Sequence, residues 1–234
     1  MFSERPDLYD HFYGHKDYAA EAAHVADLVQ SLRPGAGTLL DVACGTGRHL
    51  EHLSGRFACE GVDLEEGLLA IARQRLPDVR FTSADMVDFD LGRRFDAVVC
   101  LFSSIGYVLT IDRLDRAIAS MARHLAPGGV LLVEPWILRE NWEDPGHVLV
   151  THVEEGPRNL LRVASSVRDG QTSVLHMHYV VAEPGSVETA DEIHHLGLFS
   201  QEEYMTALSA AGLATQWYPV GLIGRGLLAG VAPS

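Results

Sequence analysis

Two glycines and a carboxylate stand close together at the end of an apolar run near the start of the chain. The run covers residues 38–42, contains Asp41, and is followed by Gly45 and Gly47. Such a run is typical of a buried strand, and glycine lets the backbone approach a ligand closely. A strand, a tight turn and a helix of this kind usually hold a nucleotide-like ligand in an α/β sheet. The same residues would also suit a turn that binds nothing, so the surrounding sequence must decide.

Two further carboxylates lie where later strands are predicted to end. Asp63 ends the next apolar run, eighteen residues after Gly45, and a carboxylate near that distance can accept both hydroxyls of a ribose. Asp85 follows the third run and could accept a hydrogen bond from the amino group of an adenine. Leu64 and Met86 would then be apolar neighbours of the adenine ring.

Two ligands compete for this predicted turn. A dinucleotide site needs a third glycine, which lets the helix pack closely on the strand, and this chain has Leu50 at that position. Asp41 would also bring negative charge close to a diphosphate. S-adenosylmethionine instead carries a cationic amino group and a sulfonium, together with a ribose and an adenine. The residues therefore favour S-adenosylmethionine, with a nicotinamide dinucleotide as the alternative.

Composition excludes several classes of function. The 234 residues include 18 Lys and Arg against 32 Asp and Glu, a net charge of −14 that disfavours nucleic acid as a partner. No apolar run reaches the roughly 18 to 20 residues that a membrane span needs, and the N-terminus lacks the apolar core of a signal peptide. We therefore expect a cytoplasmic protein. The three cysteines form no Cys-x-x-Cys pair and predict neither a disulfide framework nor a zinc site.

The order of the elements predicts the fold class. Strand-like and helix-like segments alternate five times up to residue 136, which indicates an α/β protein with a doubly wound, mostly parallel sheet. Four extended segments between residues 148 and 199 instead predict a small antiparallel layer inserted into this fold. Ser200 and Glu203 form a capping box that starts a helix, and two closing strands follow.

We expect one domain with an embellishment. Residues 1–136 and 199–234 would form the core, and residues 137–198 the antiparallel insertion. The first fifteen residues lack helical periodicity but are rich in aromatic rings, and they could fold over the mouth of a pocket.

Five motifs occur in an order and at a spacing typical of one large family. They are Asp-Val-Ala-Cys-Gly-Thr-Gly at 41–47, Asp63, Ser-Ala-Asp-Met at 83–86, Phe-Asp-Ala-Val at 95–98 and Leu-Ala-Pro-Gly-Gly at 125–129. This set resembles the class I S-adenosylmethionine-dependent methyltransferases. More narrowly, the chain is similar to the N,N-dimethyltransferases of nucleotide-linked deoxyaminosugar biosynthesis, which make desosamine, mycaminose or forosamine units. The narrower resemblance rests on motifs at 8–10, 16–19, 102–107, 133–136 and 224–226.

The resemblance implies a seven-stranded Rossmann-like sheet, an insertion that covers the sugar nucleotide, and direct in-line transfer of one or two methyl groups to the sugar amine. It implies cofactor contacts for Tyr9, Tyr18, Asp41, Ala43, Gly45, Gly47, Asp63, Leu64, Asp85, Met86 and Leu101. It implies contacts with the acceptor, a dTDP-linked sugar, for Ser103, Tyr107, Glu134, Trp136, Arg162, His178 and Arg225. Tyr107 would lie beside the amine as the candidate catalytic residue, and the fork of Arg225 would suit the diphosphate.

The chain departs from the family pattern mainly in the acceptor half. Residues 136–139 read Trp-Ile-Leu-Arg where relatives commonly have Trp-Trp-Phe-Pro, and residues 164–166 read Ala-Ser-Ser in place of Ser-His-Ser. Two alternatives therefore stay open. One is an O- or N-methyltransferase for another small acceptor, and the other is a non-catalytic protein that binds a nucleotide cofactor.

Four histidines fall within the extended segments: His176, His178, His194 and His195. No Cys, Asp or Glu with metal-ligand spacing accompanies them, so we expect no metal and place these histidines on exposed strands. The oligomeric state is open between a monomer and a homodimer.

Overall fold

The structure, a computed structural model, describes residues 6–14 and 16–234, which form two β-sheets and their helices. The helices are α1 Pro6–Tyr13, α2 Tyr18–Leu32, α3 Arg48–Leu53, α4 Glu66–Arg75, α5 Ile111–Arg123 and α6 Gln201–Ala210, with 3₁₀ helices at Ser104–Val108 and Arg139–Asn141. The strands are β1 Thr38–Val42, β2 Ala58–Asp63, β3 Arg80–Ser83, β4 Phe95–Cys100, β5 Leu125–Val133, β6 Val148–Glu155, β7 Arg158–Asp169, β8 Thr172–Glu183, β9 Ser186–Gly197, β10 Ala214–Tyr218 and β11 Leu227–Val231.

The main sheet has seven strands in the order β10-β11-β5-β4-β1-β2-β3. Its pairs are parallel from β3 to β5, whereas β11 runs antiparallel to both β5 and β10. The prediction of a doubly wound, mostly parallel sheet is confirmed. The chain proceeds from β1 through β2 to β3 and returns to β4 on the other side of β1. A crevice for ligands is expected at this reversal, outside the carboxyl ends of the strands.

The central strand β1 is buried on both faces, which explains its almost continuous apolar sequence. Leu40 and Val42 pack into one core cluster with Val98, and α5 and α6 cover that face. Leu39 points the other way, into a second cluster covered by α2, α3 and α4. All four of these side chains are fully buried, so the sheet is a rigid platform for the turns at its edge.

The second sheet is antiparallel, with strands in the order β6-β7-β8-β9 joined by short turns. The predicted antiparallel insertion is thus confirmed, as a separate sheet. Side chains alternate along β7: Leu160, Arg162 and Ala164 are buried on the inner face, whereas Val163 and Val167 are exposed on the outer face. The inner face carries the apolar cluster that joins this sheet to α1.

In the N-terminal segment, for which the sequence predicted no regular element, residues 6–13 form the helix α1. Leu8 and Phe12 are one helical turn apart, and both are buried against Leu160 and Met177 of the second sheet. A helix of eight residues is too short to reveal itself by periodicity, and it is stabilised here by tertiary packing. Residues 1–5 and 15 of the predicted ring-rich segment lie outside the described residues.

Local signals account for the other helices. The Asp17 side chain accepts a hydrogen bond from the Ala20 N–H at the start of α2, and the capping box of Ser200 and Glu203 is present as predicted. Helix α5 ends at Arg123, because Leu125 already pairs with Phe95 as the first residue of β5. None of the described helices is long and apolar enough to span a bilayer.

The packing beneath the turn after β1 predicts the effect of a substitution at Gly61. A Cβ atom there would lie 2.7 Å from the Cys44 sulfur and 2.7 Å from the Phe81 ring. We expect Gly61→Ala to lower the free energy of unfolding by roughly 1–3 kcal/mol, because both neighbours would have to move within a packed core. Urea denaturation measures this loss. Gly55→Ala is the matched control, since its Cβ would meet only the His52 carbonyl oxygen at 4.0 Å. Equal stability of the two variants would contradict the prediction.

Candidate active site

A large cavity lies between the carboxyl edge of the main sheet and the inner face of the second sheet, with a volume of about 1230 Å³. Ligand pockets usually measure about 300–1000 Å³, so this space is large enough for two ligands bound together. Its walls include Tyr9, Gly45, Asp63, Ser103, Trp136 and Arg162. Residues from the turns after β1, β2, β4 and β5 therefore meet residues from the second sheet and α1.

The turn after β1 is held by the carboxylate of Asp63, the last residue of β2. The Gly45 N–H donates to Asp63 Oδ2 at 2.7 Å, and the Glu65 N–H donates to Asp63 Oδ1 at 2.8 Å. Burial raises the pKa of Asp63, and these two N–H bonds oppose that rise. A carboxylate has about four acceptor sites, so Asp63 could accept a hydrogen bond from a ribose hydroxyl while still holding the turn.

The backbone is strained where it lines the cavity. Ala43 has φ 62°, and Phe102 and Ser103, just after β4, have φ 52° and 64°. The left-handed region is unfavourable for residues other than glycine, and such conformations cluster at ligand sites. Gly45, at φ 55°, would have no atom within 4 Å of an added Cβ, so this side of the turn is open. Gly47 instead begins α3 and lies outside the cavity wall.

Asp41 lies behind the turn. Asp41 is two residues from Leu39 on β1, so its side chain points to the same face of the main sheet, under α2, α3 and α4. It is 2% exposed and does not line the cavity. Burial and then the negative charge of Asp63 raise the pKa of Asp41. Leu101, also predicted to contact the cofactor, is 2% exposed within the core. Neither side chain reaches the cavity.

The predicted adenine residues do line the cavity. Leu64 follows Asp63, and Asp85 and Met86 follow β3, on the far side of the turn from the second sheet. Leu64 is exposed, as suits a residue that would cover a flat ring. Asp85 Oδ2 is 3.2 Å from Nη2 of Arg113, and Asp85 is partly exposed. This end could therefore hold a base between an apolar side chain and a carboxylate.

A buried cation at the other side of the turn had no role in the sequence prediction. Lys16, the only lysine of the chain, lines the cavity and forms an ion pair with Glu21 that is 8% exposed on each side. Burial acts to raise the pKa of Glu21, but the bonds from His49 and Lys16 outweigh it and hold the pKa below its ordinary value. Lys16 also lies 4.6 Å from the Phe102 ring centroid. An ammonium in this position could bind the carboxylate of an amino acid.

Tyr9 and Tyr18, both predicted to close over the cofactor, have different positions. Tyr9 of α1 lines the cavity. Tyr18 is buried and packs behind Lys16, with its ring 4.9 Å from the Lys16 ammonium and 4.9 Å from the His49 ring. Tyr18 therefore supports Lys16 and does not form part of the cavity wall.

The acceptor side combines an aromatic ring, a serine and an arginine. Nη1 of Arg225 donates to Ser103 Oγ at 2.9 Å, and its guanidinium lies 4.4 Å from the Trp136 ring centroid. All three residues line the cavity, as does Tyr107 from the 3₁₀ helix Ser104–Val108. Stacking and one hydrogen bond fix the Arg225 fork in place, which prepares its remaining N–H groups for an anion.

Arg162 is a second buried cation on this side. It is 4% exposed and lines the cavity, and its guanidinium lies 4.7 Å from the Tyr13 ring centroid. Its Nε and Nη1 have no hydrogen-bond partner among the described residues. Unpaired buried donors are costly, so this guanidinium is suited to an anionic ligand in the cavity.

Two predictions for histidines need correction. His178 does not reach the cavity: alternation along β8 places Met177 and Tyr179 on the inner face and His178 on the outer face, where it pairs with Asp191. Conversely, His194 is not on an exposed surface but is 2% exposed, with Tyr107 as a hydrogen-bond partner. The described residues contain no group of three or more His, Cys, Asp or Glu that could hold a metal ion.

Glu134 ends β5 and is completely buried. The Phe102 N–H donates to its Oε2 at 2.6 Å, whereas Oε1 has no hydrogen-bond partner among the described residues. Its side chain lies behind the cavity wall, contrary to a direct role in binding the acceptor. Burial raises the pKa of Glu134 to about 7.

The buried Glu134 predicts a pH-dependent stability. Between about pH 4.5 and 7 the folded protein retains a proton that the unfolded chain releases, so this residue lowers stability as the pH rises. As the pH rises across this window, we expect the free energy of unfolding of Glu134→Gln to increase relative to that of the wild type, by up to roughly 3 kcal/mol. Urea denaturation at several pH values measures the difference. The exposed Glu143→Gln is the control, and a Glu134→Gln difference that does not change with pH would refute the argument.

The position of Lys16 predicts a loss of cofactor affinity when its charge is removed. We expect Lys16→Met to weaken binding of S-adenosylhomocysteine about 10- to 100-fold, the range for a charge-assisted hydrogen bond of 1.5–3 kcal/mol. Titration calorimetry measures this affinity. Lys16→Arg keeps the charge and should lose less, and unchanged binding by Lys16→Met would remove Lys16 from the site.

Fold and site together define a class of enzyme, the S-adenosylmethionine-dependent methyltransferases. The glycine-rich turn after β1 and the carboxylate at the end of β2 fit a cofactor with a ribose and an adenine. The seven-stranded sheet ends in an antiparallel pair of strands, β10 and β11. A family model described as a methyltransferase domain matches residues 39–129. The cofactor of this protein is accordingly S-adenosylmethionine.

Comparisons over the full chain identify the family. A dTDP-3-amino-3,4,6-trideoxy-α-D-glucopyranose N,N-dimethyltransferase of Streptomyces venezuelae is 48% identical, over 97% of this chain and 98% of its own length. The crystal structure of Streptomyces venezuelae DesVI superposes with a TM-score of 0.93 at 47% identity, covering 97% of this chain and 98% of that chain. CalS10 of Micromonospora echinaspora, an amino pentose methyltransferase solved with S-adenosylmethionine bound, has a TM-score of 0.87 at 41% identity, covering 93% and 92% of the two chains. This chain belongs to the family of sugar N-methyltransferases that these proteins represent.

Proposed function

We propose that this enzyme transfers methyl groups from S-adenosylmethionine to the amino group of a dTDP-linked deoxyaminosugar. The observation that carries the proposal is the division of the large cavity into two chemically different ends. The cofactor end has the glycine turn, Asp63 and Lys16, whereas the acceptor end has Arg162 and Arg225. Relatives named for dTDP-linked and pentose aminosugars support the same assignment.

The two arginines are our candidates for the diphosphate of the acceptor. Arg225 presents a fork that is already oriented by Ser103 and Trp136, and Nε and Nη1 of Arg162 have no hydrogen-bond partner among the described residues. Planar guanidinium groups match pairs of phosphate oxygens. Burial lowers the pKa of Arg225, while the nearby Glu134 opposes that shift and favours the charged form. A diphosphate in the cavity would accept hydrogen bonds from both guanidinium groups.

The amine would then lie between the two ends, near Tyr107. S-adenosylmethionine supplies an electrophilic methyl group when bound. The residues of the chain must hold a neutral amine in line with it, and a cavity of low polarity favours the neutral form of an amine. Orientation of this kind can supply effective molarities of about 10⁵ to 10⁸ M, so Tyr107→Phe should slow the first methyl transfer only modestly. Burial raises the pKa of Tyr107, so its phenol stays protonated.

Two further assignments belong to the same proposal. Residues 137–198 would be the unit that covers the acceptor, and residues 1–136 and 199–234 the unit that holds the cofactor. Ser103 and Trp136 would contact the acceptor through the face that they present to the cavity. Asp41, Tyr18, Gly47, Leu101 and Glu134 would support the site from behind, where the fold places them.

The proposal is tested by incubating the enzyme with isotopically labelled S-adenosylmethionine and a panel of dTDP-linked 3-amino and 4-amino deoxysugars. Mass spectrometry counts the methyl groups transferred, and NMR of the product identifies the atom that carries them. We expect an N-methylated sugar nucleotide from at least one acceptor. An O-methylated product, or no transfer to any aminosugar, would refute the proposal in favour of another small acceptor.

Arg225 provides a sharper prediction. We expect Arg225→Met to raise KM for the sugar nucleotide about 10- to 100-fold with a smaller change in kcat, because it removes charge-assisted hydrogen bonds to the diphosphate. Steady-state kinetics at saturating cofactor measure both constants. Arg168→Met is the control, since Arg168 lies at the exposed end of β7 and bonds only the Gly170 carbonyl among the described contacts. An unchanged KM would contradict the assignment.

A further inference from the structure

A chain of hydrogen bonds runs from the cavity into the second sheet. The Tyr107 hydroxyl lies 3.1 Å from His194 Nδ1, and His194 Nε2 lies 3.2 Å from Glu192 Oε2. Tyr107 lines the large cavity, whereas the side chains of His194 and Glu192 are 1% and 11% exposed. The chain thus connects a cavity residue to two ionisable groups that solvent barely reaches.

Local geometry explains why these three side chains meet. Glu192 and His194 are two residues apart on β9, so both point to the inner face of the second sheet. The 3₁₀ helix Ser104–Val108 packs against β9 and places Tyr107 over His194, with ring centroids 6.0 Å apart. The contact between Tyr107 and His194 is not local in sequence, since 87 residues separate them.

Neighbouring elements place further titratable groups against this chain of hydrogen bonds. Tyr179 of β8 donates a hydrogen bond to Glu192 Oε2 at 3.1 Å. Arg162 of β7 and Tyr13 of α1 line the same small cavity as Glu192, with Arg162 as the cation there. With Glu192 Oε2 as the acceptor on one side of the imidazole, His194 carries its proton on Nε2 and its Nδ1 accepts from the Tyr107 hydroxyl.

We propose that His194 and Glu192 are positioning residues that turn Tyr107 into the entrance of a proton relay for the methylated amine. The proposal rests on the amine acceptor assigned above. After a methyl transfer the nitrogen is an ammonium. Its N–H bond breaks as the proton passes to the Tyr107 oxygen, while the Tyr107 O–H bond breaks and its proton passes to His194 Nδ1. The product is a neutral methylamine, and the positive charge rests on an imidazolium paired with Glu192.

The relay matters most when two methyl groups are added. A neutral first product can attack a second cofactor molecule, whereas an ammonium has no lone pair to do so. When the cavity opens for product release, the His194 proton returns through Tyr107 to solvent and restores the starting state. The relay therefore acts on the second methylation and on the acidic side of the pH profile more than on acceptor binding.

The kinetic test uses His194→Asn, whose side-chain amide can keep a hydrogen bond to Tyr107 but cannot take up a proton. We expect kcat for the second methylation to fall about 10- to 100-fold, at or below the lower end of the roughly 10²- to 10⁴-fold contribution of general acid–base catalysis. The KM should be nearly unchanged, and the monomethylated product should accumulate. The acidic limb of the kcat profile should also shift, because the variant lacks the imidazole whose protonation at low pH stops the relay in the wild type. Tyr107→Phe combined with His194→Asn should lose little more than either change alone. His195→Asn is the matched control, since His195 is exposed on the outer face of the same strand.

A second measurement does not depend on turnover. Long-range ¹H–¹⁵N NMR of the ¹⁵N-histidine-labelled protein reports the tautomer of each ring, and His194 is identified by its loss in His194→Asn. We expect the Nε2-protonated form in the wild type and a changed signal in Glu192→Gln. A wild type that methylates no aminosugar refutes the acceptor assignment. Normal dimethylation and an unaltered acidic limb in His194→Asn, or a His194 signal protonated on Nδ1, refute the relay.

Discussion

The bond from the Gly45 N–H to the Asp63 carboxylate is the interaction on which the site depends. It ties the turn after β1 to the end of β2, and the Glu65 N–H holds the other oxygen of the same carboxylate. The turn can then keep its left-handed conformations at Ala43 and Gly45 without drifting into the cavity. Because Asp63 is held by the backbone on one side, its free acceptor sites point in a defined direction toward the ligand.

Acidic and basic side chains occupy different depths around the cavity. Asp41 and Glu134 are buried behind the cavity wall, and Lys16, Arg162 and Arg225 stand at the wall itself. The cations at the wall suit the carboxylate of the cofactor and the phosphates of the proposed acceptor. The side chain of Asp41 does not line the cavity, contrary to the cofactor contact predicted from the sequence.

The second sheet connects the acceptor side to this arrangement. Its inner face carries Arg162, which reaches the cavity, and His194, which reaches Tyr107 from behind. Helix α1 packs on the same inner face through Leu8 and Phe12. The residues that line the acceptor side and the proposed proton relay therefore rest on one packed cluster. A change in this packed cluster would therefore affect acceptor binding and proton removal together.

The sequence by itself determined the parallel sheet, the antiparallel insertion and the cofactor end, because these depend on apolar periodicity and on short motifs whose residues stay close along the chain. Asp63 and Gly45, for example, lie at the ends of neighbouring strands, where the strand pattern alone brings them together. Only the tertiary structure decided the rest. Lys16 enters the cavity and His178 leaves it because of packing and strand alternation, and His194 meets Tyr107 across 87 residues. Contacts between distant elements depend on register and on the placement of one sheet over another, which no local pattern encodes.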